Sequence, residues 1–108
     1  EFLDICGNQL LTDDTLTQLK SSKIKYLNLS WCSNITDKSC EYISSKFKEL
    51  ELLSIHGNIN VTSKSVSFLS KISSLHTLDL FGCCNIENKS FEFLKTLFPN
   101  LICNKVHF

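Results

Sequence analysis

Three closely similar stretches limit how this chain can fold. Ile24 to Lys38 reads IKYLNLSWCSNITDK, Leu50 to Lys64 reads LELLSIHGNINVTSK, and Leu75 to Lys89 reads LHTLDLFGCCNIENK. Units opening at Ile24, Leu50, Leu75 and Leu101 are spaced by 26, 25 and 26 residues, and a partial first unit enters at its second position with Glu1. A single unit of this length cannot bury its own apolar face, so neighbouring units must stack, and like-numbered residues become columns running along the molecule.

The columns agree in detail. The fourth position holds Leu3, Leu27, Leu53 and Leu78, and the sixth holds Ile5, Leu29, Ile55 and Leu80. The twelfth holds Leu11, Ile35, Val61 and Ile86, the seventeenth Leu16, Cys40, Val66 and Phe91, and the twentieth Leu19, Ile43, Leu69 and Leu94. Asn8, Cys32, Asn58 and Cys83 share the ninth position. There an Asn side chain can bond neighbouring backbone, and a thiol can replace it as a weak donor in a tight apolar slot. Asn8 and Asn58 are therefore expected to be buried and satisfied.

Each unit opens with alternating apolar and polar residues, as in YLNLS from Tyr26 to Ser30, which predicts a short strand with Leu27 and Leu29 inward. Thr12-Asp13-Asp14 and Thr36-Asp37 then supply a capping hydroxyl and acidic groups to the start of a helix. The last of these helices should stop before Pro99, because proline disfavours helical geometry in the residue ahead of it. With Leu101 opening the final unit, Asn104 falls at the fourth position, a polar residue suited to a terminal strand with solvent or another chain beyond it.

The pattern LxxLxLxx(N/C)xx(I/L/V) at this period resembles the leucine-rich repeat. Units of about 26 residues with Cys in the Asn slot and an "ITD" helix start at Ile35, Thr36 and Asp37 resemble its cysteine-containing subfamily. The resemblance implies an α/β solenoid, a right-handed superhelix with parallel strands on the concave face and helices on the convex face. The expected organisation is one repeat domain over residues 1–108: a partial unit 1–23, units 24–49, 50–74 and 75–100, and a terminal strand 101–108. Glu1 enters mid-strand, so further repeats or a capping domain are expected N-terminal to it, with a cloning remnant as the other reading of the Glu-Phe start.

Composition narrows the function. Eleven basic residues balance eleven acidic ones, which removes a bulk electrostatic case for nucleic acid or an anionic membrane. No run approaches the roughly 18 apolar residues that span a bilayer. Of six cysteines none forms a C-x-x-C pair, and Cys32, Cys40 and Cys83 fall on buried columns, so free thiols in a reducing compartment are expected and neither disulfide nor zinc framework. Asn-x-Ser/Thr matches at Asn28, Asn34, Asn60 and Asn88 weigh little in a chain so rich in Asn and Ser.

Chemistry is hard to assemble from these columns. The seventh positions, Cys6, Ser30, His56, Phe81 and His107, form one exposed row, but Cys6 and His56 are two strands apart, roughly 10 Å. A nucleophile and its base need about 3 Å. His56 and His107 are likewise separated by Phe81, and Asp4 and Asp79 by three strands, so neither a metal site nor a carboxylate pair is expected. Gly7, Gly57 and Gly82 share the eighth position, where the chain turns off the strand. No catalytic residue, cofactor, metal or small-molecule substrate is assigned.

What remains is the exposed strand face. Its third row reads Phe2, Tyr26, Leu52, Thr77 and Cys103, and the seventh and eighth positions add Trp31, His56, Phe81 and Phe108. Tyr26, Trp31, Leu52, His56 and Phe81 are expected to form one contiguous patch for a protein partner, with Trp31 either an anchor or a cover for a neighbour's turn. Tyr42, Phe68 and Phe93 should pack helix against helix on the convex side, and Lys38, Lys64 and Lys89 should form a solvated ridge. The resemblance implies a protein–protein interaction module, such as the substrate-recognition region of an F-box/LRR ubiquitin-ligase receptor in the cytoplasm or nucleus. A second implied reading is an assembly subunit similar to the mitochondrial ATP synthase factor B group, which shares a segment like Leu97, Phe98, Pro99, Asn100 and Leu101 before its terminal strand. An enzyme is the least favoured class.

Overall fold

A computed structural model describes residues 1–102. Expectations that rest on Cys103, Asn104, His107 and Phe108 lie outside the described residues. Five three-residue strands form one parallel sheet in chain order: β1 (Phe2–Asp4), β2 (Tyr26–Asn28), β3 (Leu52–Ser54), β4 (Thr77–Asp79) and β5 (Asn100–Ile102). Between them run α1 (Asp13–Leu16), α2 (Asp37–Lys46), a 3-10 turn (Ser63–Ser65) leading into α3 (Val66–Leu69), and α4 (Asn88–Leu97).

The register is the one the columns require for the first four strands. Leu3, Leu27, Leu53 and Leu78 lie side by side, the last three fully buried. Leu29, Ile55 and Leu80 form a second buried column behind them, and Ile35, Val61 and Ile86 a third. Each such side chain contributes about 1.5–3 kcal/mol by leaving water.

At β5 the register departs from expectation. Leu101 pairs with Leu78, not with a residue three positions earlier, so Leu101 holds the fourth position and Phe98 the first. Phe98 is buried, as Ile24, Leu50 and Leu75 are at the same position. The cause is local: α4 ends at Leu97, ahead of Pro99, and the segment Phe98 to Leu101 repeats the apolar one-and-four spacing of Leu75 and Leu78.

Side chains from one repeat complete the backbone of the repeat before it. At the ninth position the Cys32 thiol donates to the Ile5 carbonyl (3.1 Å), the Asn58 amide to Leu29 (2.8 Å) and the Cys83 thiol to Ile55 (3.1 Å). Asn58 is buried as expected, although its Oδ1 meets no partner among the described residues. Asn8 is exposed, contrary to expectation, because β1 is an edge strand of this sheet, and its side-chain Oδ1 accepts from the nearby Leu10 N–H (2.9 Å).

Two positions on, Asn34, Asn60 and Asn85 donate to the carbonyls of Gln9, Ser33 and Ile59 at 2.5–2.6 Å. Thr36 and Thr62 cap the following helical turns through their hydroxyls. The N-I-T and N-V-T matches at Asn34 and Asn60 thus record a backbone ladder followed by a helix cap.

A third link clasps the helix starts. Asp13 accepts from the Thr36 N–H (2.9 Å), the Thr36 hydroxyl (2.7 Å) and the Ser39 hydroxyl (2.5 Å). Asp37 repeats this toward Thr62 and Ser65 at 2.8, 2.6 and 2.5 Å. At the third junction Ser63 stands in place of Asp and Glu87 in place of Thr, and the Glu87 N–H to Ser63 hydroxyl bond (2.8 Å) is what remains.

α1 and α3 span four residues each, α2 and α4 ten. In short and long helices alike, hydroxyls turn back onto carbonyls three residues earlier: Thr17, Ser67 and Ser70 in the first pair, Ser44, Ser45 and Thr96 in the second. Tyr42 packs against Phe47 edge-on with centroids 5.9 Å apart and donates to the Leu19 carbonyl (2.9 Å), joining α2 to the preceding unit. Phe68 is partly buried against the core, whereas Phe93 on α4 remains half exposed.

Burial alone would raise the Asp13 pKa, but the hydrogen bonds from Ser39 and Thr36 outweigh it and hold the carboxyl below its usual 3.8. A depressed folded pKa means the clasp stabilises fully above the ordinary carboxylate value and is lost as pH falls through the folded one. Asp13→Asn is expected to cost about 1 kcal/mol at neutral pH, allowing for the carboxylate's partial exposure. In urea titrations across pH, the gap between the variant and the parent should be flat above pH ~5 and close below pH ~4.

Candidate strand-face site

The strand face is built by the residues that leave the core columns: the third, fifth, seventh and eighth of each unit. Past each strand the ladder continues, with the N–H groups of Gly7, Trp31 and Gly57 donating to the carbonyls of Ser30, His56 and Phe81, each at 2.8 Å. The seventh and eighth residues of successive units therefore stay in register.

The eighth position requires a left-handed backbone. Gly7, Gly57 and Gly82 adopt φ of 75°, 76° and 78°, and Trp31 adopts φ 60° in the same slot. A residue with a side chain pays about 1–2 kcal/mol for this conformation. Trp31 is held there from both sides: its N–H bonds His56 and its carbonyl accepts from Gln9 Nε2 (2.8 Å).

The indole lies flat over the next turn. A Cβ built on Gly57 would come within 2.4 Å of Trp31 Cε3 and Cζ3, so the ring occupies the space that glycine leaves open. From this seat Trp31 meets His56 with ring centroids 5.2 Å apart, and His56 meets Phe81 at 4.9 Å. Trp31 remains 54% exposed, while His56 and Phe81 are half-buried. Trp31 thus covers the turn of the next unit while much of its ring remains at the surface.

Tyr26 and Leu52 lie on the same face as direct register partners, and Phe2 extends their row with its ring 6.1 Å from Tyr26. They are not continuous with the ring row. The fifth-position residues Asn28, Ser54 and Asp79 run between the two apolar rows and are joined by hydrogen bonds. Ser30 donates to Asn28 Oδ1 (2.6 Å) and is hydrogen-bonded to the Ser54 hydroxyl (2.7 Å), and Ser54 lies 3.5 Å from Asp79 Oδ2. His56 Nδ1 sits 3.3 Å from the same oxygen, and Asp79 Oδ1 accepts from the Phe81 N–H (3.0 Å). The five residues singled out from the sequence thus fall as two stripes flanking a polar seam.

The seam itself was not anticipated. Its signal was available, since a fifth-position residue and the seventh of the preceding unit are diagonal neighbours on adjacent strands, and Asp79 and His56 stand in that relation. The Ser54 hydroxyl and the His56 imidazole both bond the Asp79 carboxylate, at 3.5 and 3.3 Å. Among the described residues no group of three His, Cys, Asp or Glu side chains is placed to hold a metal ion, and no helix is long and apolar enough to cross a membrane.

The described cysteines are free thiols. Burial raises Cys32, and pushes Cys83 up to about 11 and Cys40 to about 12. Cys6 and Cys84 are exposed.

Fold and site together define a repeat solenoid with an aromatic strand face. A family model described as Leucine Rich repeat matches residues 20–44. Among solved structures the chain is similar to one in the yeast Rad7 and Elc1 complex, with a TM-score of 0.72, 16% sequence identity and 88% of this chain covered. It spans 25% of that chain. The architecture is that of a leucine-rich repeat protein.

Gly57→Ala should both strain the backbone and eject the Trp31 ring, whereas Gly7→Ala, with nothing within 4 Å of the added carbon, meets only the backbone cost. Thermal melts are expected to show about 1–2 kcal/mol lost in Gly7→Ala and more in Gly57→Ala, with a red-shifted tryptophan emission in Gly57→Ala alone. Alkylation of the native protein followed by site-resolved mass spectrometry should label Cys6 and Cys84 first, and Cys32, Cys40 and Cys83 only once denaturant is added.

Proposed function

We propose that this chain is a non-catalytic interaction module that captures a protein partner on its strand face, with Tyr26, Trp31, Leu52, His56 and Phe81 as the binding residues. One observation carries the reading: Trp31 occupies a left-handed position that sister units give to glycine, and more than half of it stays in water. Strain of this kind is retained where a site needs it, and aromatic anchors supply much of the energy at protein interfaces.

The finer reading is the substrate-recognition region of an F-box-type ubiquitin-ligase receptor. It is supported by the Cys32 and Cys83 positions of the cysteine-containing pattern and by likeness to a chain of the yeast Rad7 and Elc1 complex, itself a two-protein assembly. Free buried thiols support an intracellular setting.

Trp31→Gly separates binding from folding, because it installs the residue that the other units carry. Its stability should match the parent within about 1 kcal/mol, the relieved strain offsetting the lost ring contact. In affinity capture from cell extract it should lose roughly thirtyfold in partner recovery, the equivalent of about 2 kcal/mol. Phe93→Ser, on the helix side, should capture normally. Equal recovery by Trp31→Gly and the parent would reject the strand face as the binding surface.

A further inference from the structure

The charge on the strand face is one-sided. The chain carries equal numbers of basic and acidic residues, yet the third, fifth and seventh rows of the described residues hold two carboxylates, Asp4 and Asp79, and no lysine or arginine. Lys25 lies at the second position beside Tyr26 and is paired with Glu51 (3.8 Å). Lys38, Lys64 and Lys89 stand at or next to the helix starts.

Asp79 sits at the foot of the aromatic row. Its carboxylate is partly open to solvent, and two of its three contacts are long: 3.3 Å to His56 and 3.5 Å to Ser54. Contacts of that length are weak and yield to a shorter, charge-assisted bond. Covering this carboxylate with an apolar side chain would strip its water without replacing it, a cost that an incoming cation removes. An acidic group would meet Asp79 and Asp4 with no lysine or arginine among the described residues of these rows to answer it.

We propose that the strand face receives a cationic side chain, an arginine or lysine of a partner protein, laid across the Trp31–His56–Phe81 row with its charged head at Asp79. This rests on the protein-binding reading above and names the chemistry of the partner's anchor. Indole and phenyl faces attract such a cation, and a planar guanidinium stacks on them while its N–H fork meets a carboxylate. Asp79 provides the charge and the ring row provides the platform.

Trp31 is the single tryptophan of the chain, so its emission reports on this site alone. The probes are three blocked tripeptides, Ac-Gly-Arg-Gly-amide, its uncharged citrulline isostere and Ac-Gly-Phe-Gly-amide, titrated into the intact chain. The arginine peptide should shift Trp31 emission saturably and bind about fivefold or more tightly than the citrulline peptide. Raising salt from about 0.05 to about 0.5 M should erase most of that preference in the unmodified protein, and Asp79→Asn should erase it at low salt.

Equal binding of the arginine and citrulline peptides to the unmodified protein overturns the proposal, as does a preference that survives both high salt and Asp79→Asn. If the phenylalanine peptide binds while arginine shows no advantage, the cation is excluded and the aromatic face stands as a protein-binding surface. If no peptide perturbs Trp31, the cation proposal fails and the strand-face reading fails with it.

Discussion

A parallel strand that ends inside a protein leaves main-chain carbonyls pointing into a dry interior, and a buried carbonyl without a donor costs free energy comparable to a lost hydrogen bond. In this molecule the carbonyls of Ile5, Leu29 and Ile55 are met by the ninth residue of the following repeat: a thiol, an amide, then a thiol. Each of these carbonyls also accepts from the N–H three residues on, that of Asn8, Cys32 or Asn58, so what the side chain adds is a bond between repeats. A slip by one residue would break those bonds and turn the leucine columns outward, so adjacent repeats lock in a single register. That register in turn places Trp31, His56 and Phe81 in one row.

The same logic explains which parts of the molecule were legible from sequence alone. Columns of identical character, such as Leu27, Leu53 and Leu78, report on register because burial acts on every unit alike. The N-terminal threonines of the helices were legible for the same reason, and Thr12, Thr36 and Thr62 all cap. Asp13 and Asp37 stand in the first turn of their own helices as expected, but the composition of a helix start does not reveal that the carboxylate also faces the next unit. The terminal strand was misplaced by three residues because two apolar pairs compete for the same columns, and helix termination before Pro99 decides in favour of Phe98 and Leu101.

The candidate site divides in the same way. Which residues reach the strand face follows from alternation, so Tyr26, Leu52, His56 and Phe81 lie where a repeat count places them. Where the Trp31 ring settles is a question of side-chain torsion and of the void over Gly57, neither of which repeats along the chain. The polar seam from Asn28 to Asp79 was missed because its members differ in type, and a column of unlike residues gives no periodic signal. The result is a surface whose position is set by periodicity and whose specificity is set by departures from it.

The Asp13 and Asp37 clasps hold the first two junctions between helical turns, while the third keeps a single bond from the Glu87 N–H to Ser63. The helix layer is therefore unevenly sewn. Mechanical load along the array would concentrate at the seam beside α4, which makes that junction the natural place for bending, while the rows facing Trp31 travel together as a stiff plate.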